Sequence, residues 1–456
     1  MLNHSKSLWL GLIALAVAAL GPAAPWALAD GGMVTLPVPI DPTIAPIGGV
    51  AYDVALDAVT GKIYVAGVSS AKTLAGSVLP NGDLNIDFGG GVVLTKVNAT
   101  IGGFAGRDYC YACAVQQLDG KLVTGGGYIE GKPYKQSYGF ALVRYNPNGT
   151  LDTTFNTQYD RKGRVVGGGI VKTLLGTNAT SCEAIIYGMA LQGKKILVTG
   201  KHPSGCVALA RYTDGGLLDA EFGSGGFVVT TIPGAGTSIA LHDDGIVVGA
   251  SKLNANPVVR FNANGALDTS FGTGGVATFA VPNAPPGAYG TDLSAIAVDP
   301  VDQSIVVTGR YGDGQHYRVA LARFTAEGDL DETFGSGSGY ITFQPWQDGD
   351  YSPESVAVDA DANIVVAGNS TYDEGASRNV LIARFDEFGA PDNTFNGCGY
   401  AEDFPGEAHA MLIQPDGNIV AAGSVIIAGS GSNIDPTIYA AFIVRYLPDG
   451  TPDLSF

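Results

Sequence analysis

The sequence predicts an all-β protein, a seven-bladed β-propeller of four-stranded blades, on three observations. One phrase recurs seven times, as SVLPNGDLNIDF, RYNPNGTLDTTF, RYTDGGLLDAEF, RFNANGALDTSF, RFTAEGDLDETF, RFDEFGAPDNTF and RYLPDGTPDLSF. Its final residues, Phe88, Phe155, Phe222, Phe271, Phe334, Phe395 and Phe456, stand 67, 67, 49, 63, 61 and 61 residues apart, a spacing too regular for independent domains. Short apolar runs separated by Gly, Asn and Asp turns fill the intervals. The composition agrees: 66 glycines and 15% charged residues favour a turn-rich β chain over a helical or disordered one.

Each repeat divides into four strands, a to d. Strands a and b are paired apolar runs around a tight turn, as in AYDVALDAVTGKIYVAG, SAIAVDPVDQSIVVTG and AMLIQPDGNIVAAG. Strand c carries an arginine, as in FALVRY, VALARF and FIVRY, and strand d follows the LDxxF turn, as in GSGGFVVTT and GTGGVATFA. Runs such as IVVAG are apolar on both faces, which fits sheets packed between two neighbours. Repeats of this size cannot bury themselves alone, so seven of them close into a propeller. The last phrase ends at Phe456 with no strand d after it, while DGGMVTLPV near the N-terminus has the strand d pattern. A closing strand at 30–40 is therefore expected to complete the seventh blade, with 32–37 paired to the strand ending near Tyr446.

The combination of DGxIxVAG, LxRYxxxGxLDxxF and GxGG resembles the bacterial delta-60 repeat, a β-propeller repeat of exported proteins. The resemblance spans about residues 31–456. It implies the fold and export, and no particular reaction.

Six copies place an Arg eight residues before an Asp: Arg144 and Asp152, Arg211 and Asp219, Arg260 and Asp268, Arg323 and Asp331, Arg384 and Asp392, Arg445 and Asp453. In the first copy both charges are missing, replaced by Ser77 and Asn85. Joint loss is the behaviour of a structural ion pair, because an unpaired buried guanidinium is costly. The competing reading is a ring of binding sites.

At the N-terminus, Lys6, the apolar run Leu8–Leu20 and Ala27-Leu28-Ala29 have the form of a secretory signal peptide over 1–29, leaving a single propeller domain at 30–456. The expected location is periplasmic, secreted or cell-surface, with no membrane span. A net charge of −18 speaks against nucleic acid as a partner. Export permits disulfides: Cys182 with Cys206 is one candidate bridge, and Cys110 either closes a local loop with Cys113 or reaches the next blade, a connectivity that spacing does not fix. Cys398 is the expected free thiol.

The a–b and c–d turns are short and share one face; the variable d–a and b–c loops share the other, where sites are grafted onto scaffolds. That variable face is rich in aromatics: Tyr128, Tyr134, Tyr289, Tyr311, Tyr317, Trp346, Tyr351 and Tyr372. Rings with polar tips suit a protein or glycan ligand, whereas the structural alternative is that they cover the blade tops. The functional expectation is a binding scaffold with no cofactor. The alternative is a metal-dependent lyase or hydrolase at the mouth of the central channel, with His409, His316 and His202 as metal ligands. No GxSxG, HExxH, P-loop or EF-hand motif is present.

Overall fold

The structure is a computed structural model that describes residues 32–36, 47–69, 72–97, 107–132, 135–159, 162, 164–177, 184–243, 245–251, 257–279, 281, 291–312, 314–372, 377–428 and 438–456. The expected signal peptide, Tyr134, Tyr289 and Cys182 lie outside these residues.

Seven antiparallel four-stranded blades lie at 47–95, 107–177, 185–233, 235–278, 291–343, 350–401 and 407–446, the last completed by an N-terminal strand; a short parallel pairing of Ile47 and Gly48 with Ile438 and Tyr439 joins blades 1 and 7 into one sheet. Strand a of each is Ile47–Leu56, Arg107–Gln116, Ile185–Gln192, Ala235–His242, Thr291–Val298, Asp350–Val358 and Glu407–Ile413. Every strand a packs against strand a of both neighbouring blades, so these strands are innermost and close a ring. Blade 2 carries an extra hairpin, Gln158–Tyr159 with Val165–Gly167, in its c–d connection. Among the described residues no helix is long and apolar enough to cross a membrane.

Closure occurs as the sequence predicts. Met33–Thr35 runs antiparallel to Ile438–Tyr446, with Met33 opposite Val444, Val34 opposite Ile443 and Thr35 opposite Phe442. The N-terminal segment is strand d of blade 7. Val34 and Leu36 are buried in the seam between blades 7 and 1.

The hydrophobic core is divided among the seams. Among the described residues, the buried apolar side chains form seven clusters, each shared by two adjacent blades. The final phenylalanine of each repeated phrase is buried in the seam toward the next blade, from Phe88 between blades 1 and 2 to Phe456 between blades 7 and 1. A glycine in the next blade's c–d turn lies against each phenylalanine. At Gly265, whose φ is +87°, a Cβ would come within 2.8 Å of the Phe222 ring, so both conformation and space require glycine.

The Arg and Asp of the phrase form the latch between blades. In all six pairs the Arg Nε donates to the Asp Oδ2 at 2.6–2.8 Å. The Nη1 donates to a carbonyl of the following blade, at 2.5–2.6 Å: those of Asp214, Ala263, Ala326, Glu387, Pro448 and Pro80. The guanidinium also lies over the phenylalanine of its own phrase, 4.3–5.4 Å from the ring centre. In blade 1 the replacement pair is itself bonded, with Asn85 Nδ2 donating to the buried Ser77 Oγ at 3.0 Å. The structural reading of the pair is thereby supported, and the VAG glycine has a different cause.

Every strand a carries a one-residue bulge. The bulge drives a backbone carbonyl toward strand b, where six blades have glycine: Gly67, Gly126, Gly200, Gly309, Gly368 and Gly423. A Cβ at these positions would sit 1.8–2.1 Å from that oxygen. Gly309→Ala is therefore expected to flatten the bulge and cost about 2–3 kcal/mol, read as a lower urea midpoint. An unchanged midpoint would show that the bulge does not depend on the glycine. Blade 4 has Ala250 at this place, opposite Gly236.

Candidate functional site at the channel mouth and the variable face

The bulges determine what lines the channel. The extra residue in each strand a is Tyr52, Tyr111, Tyr187, Thr237, Ser294, Glu354 and His409, in blade order 1 to 7. A bulge re-aims the side chain it inserts. All seven are half-buried.

Four of them touch in sequence around the ring, His409 to Tyr52 to Tyr111 to Tyr187, with centroids 5.2, 4.6 and 5.3 Å apart and planes inclined at 39°, 49° and 43°. The rings are tilted against one another, between stacked and edge-on, and form one continuous aromatic arc. Tyr109 stacks on Tyr111 from above or below in the same strand. Burial lowers the pKa of His409 to about 4, so its imidazole is neutral at pH 7. Its Nε2 lies 3.3 Å from Ser424 Oγ and 3.9 Å from Glu407 Oε2. Glu407 pairs in turn with Arg378 of blade 6. Burial raises the pKa of Glu354, while Ser352 Oγ donates to it at 3.0 Å and the Arg310 guanidinium opposes the rise.

A second group occupies the tops of blades 5 and 6. The amide of Trp346 donates to Tyr351 Oη at 3.0 Å, and the Tyr351 and Tyr372 hydroxyls are 3.1 Å apart. Tyr372 donates to Glu402, 2.8 Å from each carboxylate oxygen. The Trp346 side chain lies close enough to the Tyr400 hydroxyl to oppose the rise that burial gives its pKa. Trp346 is nonetheless 59% exposed, a large apolar ring held at the surface. Beside it, the Tyr317 amide donates to Asp350 Oδ1 at 2.8 Å and His316 Nδ1 lies 3.3 Å from the same oxygen. Arg310 lies 4.9 Å from the centre of the Tyr317 ring and 3.4 Å from Asp292 Oδ2.

The structure thus gathers Tyr311, Tyr317, Trp346, Tyr351 and Tyr372 on two adjacent blades. Tyr351 is buried in the seam between blades 5 and 6 beneath the patch, whereas Tyr311 is buried in the seam between blades 4 and 5. Tyr128 stands apart on blade 2, buried under Lys172. The three histidines do not converge. His202 sits beside Ser204 and Phe227 on blade 3, His316 on blade 5 and His409 in the channel. Among the described residues no three His, Cys, Asp or Glu side chains are placed to hold a metal ion.

The expected bridge between Cys110 and Cys113 is corrected: both are free, buried thiols. They lie on either side of the bulge at Tyr111, in the seam between blades 1 and 2. Burial pushes the Cys110 thiol up to about 12, and burial followed by the nearby Asp53 charge pushes Cys113 well up. The Cys113 amide donates to Asp53 Oδ2 at 2.6 Å. Burial raises this carboxyl to about 7 against its hydrogen bonds. Cys206 and Cys398 are also free thiols, the latter as expected.

The repeated unit also matches a known family, described as a domain of unknown function (DUF5122) beta-propeller, over residues 117–155, 243–271, 302–334, 360–395 and 414–456. Five of the repeats match this β-propeller model. Each matched segment ends on the phenylalanine of the phrase and contains a complete Arg and Asp latch. Among curated proteins no sequence matches. Similar solved structures include the Dos1 propeller, with 8% identity and a TM-score of 0.44, covering 87% of this chain and 92% of that one. Another is the polysaccharide lyase Uly1, at 11% identity and 0.44, covering 88% and 90%. A third is the extracellular domain of a hybrid two-component system protein from B. thetaiotaomicron, at 11% and 0.41, covering 88% of this chain and 39% of that one.

Proposed function

We propose that this chain is an exported binding module that holds a glycan on its variable-loop face, at the patch around Trp346. The observation that carries the reading is the indole itself. It is exposed, yet its backbone amide is held by Tyr351 and its side chain lies beside Tyr400. A ring already ordered loses little conformational freedom on binding, and its flat face suits the apolar face of a pyranose. Glu402, linked to the patch through Tyr372 and Tyr351, and Asp350, four residues along the chain, are offered as hydrogen-bonding groups for sugar hydroxyls. The catalytic alternative, a metal held by His409, His316 and His202, gains no support from their separate positions.

The test uses an accident of composition. Trp9 and Trp26 precede the expected cleavage site, so Trp346 is the only tryptophan of residues 30–456. Titrating that chain with a panel of neutral linear oligosaccharides is expected to shift or quench its intrinsic tryptophan emission saturably. Trp346→Ala, followed by calorimetry, is expected to weaken binding about tenfold or more, the loss typical of a central aromatic contact. Binding that survives this change undiminished, or emission indifferent to every sugar, would remove the patch from consideration.

A further inference from the structure

We propose that the ring of bulge residues forms a second site, in which the channel mouth takes the uncharged terminal sugar of a glycan chain end-on. This deepens the glycan reading and rests on it, although the residues involved are different. Three features of the ring support the proposal.

The first is asymmetry. Aromatic rings occupy the bulge positions of blades 7, 1, 2 and 3, whereas blades 4 and 5 contribute only Thr237 and Ser294. A circle with four bulky positions and two small ones leaves its room on one side, between Tyr187 and Glu354.

The second is chemistry. The seven positions offer phenol, aliphatic hydroxyl, imidazole and one carboxyl group, and no Lys or Arg. A phosphate or uronate would meet no cation among the seven positions, and the guanidinium nearest them, Arg310, already faces Glu354 and Asp292. Neutral vicinal hydroxyls, which both donate and accept, match such a lining. Glu354 is held by Ser352 and neighboured by Arg310, so it can accept from a sugar hydroxyl without itself needing a cationic ligand.

The third is shape. The walls are seven strands in a closed ring, so a long ligand can enter only along the axis.

Calorimetric titration of the chain with neutral hexasaccharides, and with an oligouronide of equal length, tests the proposal. Ser294→Tyr fills the open side and is expected to lower affinity for the neutral sugar at least tenfold. Because a bulky side chain there can disturb folding, Thr237→Val and Glu354→Gln are measured in parallel, each expected to weaken binding severalfold with an unchanged melting temperature. Three results would overturn the proposal: neutral sugar binding indifferent to all three changes, preference for the oligouronide, or no neutral sugar bound at all. Trp346→Ala separates the two sites. Loss of binding in that variant alone leaves the outer patch standing without the channel; loss in the channel variants alone does the reverse.

Discussion

Deleting residues 30–38 is expected to unfold a large part of the ring's stability, far beyond the usual effect of trimming a chain end. The segment buries Val34 and Leu36, at 1% and 3% exposure, in the seam between blades 7 and 1. Each such side chain contributes about 1.5–3 kcal/mol. The Leu36 amide also donates to the Ala441 carbonyl at 2.9 Å, beside the strand pairing itself. Without it the strand Ile438–Tyr446 becomes an open edge, able to pair with another molecule. We expect a loss of roughly 5 kcal/mol or more, against the 5–15 kcal/mol by which domains are usually stable. The melting temperature should fall by about 10 °C or more, with concentration-dependent aggregation. An unchanged melting temperature would contradict the closure.

The second large effect is expected at the latch. Asp331→Asn leaves Arg323 facing a neutral amide in a nearly buried place and should cost about 3–5 kcal/mol. Adding Arg323→Ser recreates the pair that blade 1 already uses, Ser77 with Asn85. The double variant is expected to be more stable than Asp331→Asn alone, while remaining below the parent because the bond from Arg323 to the Glu387 carbonyl is lost. A double variant no better than the single one would mean that the two side chains are not coupled. The same pairs set an acid limit. For Asp331, burial works against ionisation, but the Thr333 hydroxyl and amide and the Arg323 guanidinium outweigh it and lower the pKa. For Asp152 it is lowered to about 2. A carboxyl held lower in the folded state than in the unfolded chain stabilises above about pH 4 and loses that contribution as pH falls through its folded value. Unfolding midpoints should therefore drop between about pH 4 and pH 2.

The scaffold was legible because its physics is local and repeated. Arg445, Asp453 and Phe456 act through one another within a dozen residues, and the same trio returns in blade after blade, so a pattern of spacing reveals it. The closing strand could be read for the same reason: Met33–Thr35 fills the one place where the pattern was incomplete. The channel ring was not legible. Its residues are Tyr, Thr, Ser, Glu and His, with no common chemistry, and their inward aim comes from a bulge that interrupts the alternation used to assign faces. A signal did exist. Aligning the strands a by the VAG glycine that follows each would have set Tyr52, Tyr111 and Ser294 in one column, while the different a–b turn lengths of the other blades shift their bulge residues out of it. The tyrosines of the variable face were visible as a group, but which would be buried, as Tyr351 is, depends on packing between blades 5 and 6.

The pairing of Val34 with Ile443 also bears on how the molecule comes to be folded. Six blades can assemble from neighbouring strands as the chain is made, each seam forming between segments close in sequence. The seventh cannot. Its outer strand is synthesised before every other blade and its partner strand after nearly all of them. Joining them closes almost the whole chain into one loop, and contacts of such separation form slowly. Ring closure is then the last event of folding, and until it happens the first-made strand waits as an exposed apolar segment beside an unfinished edge.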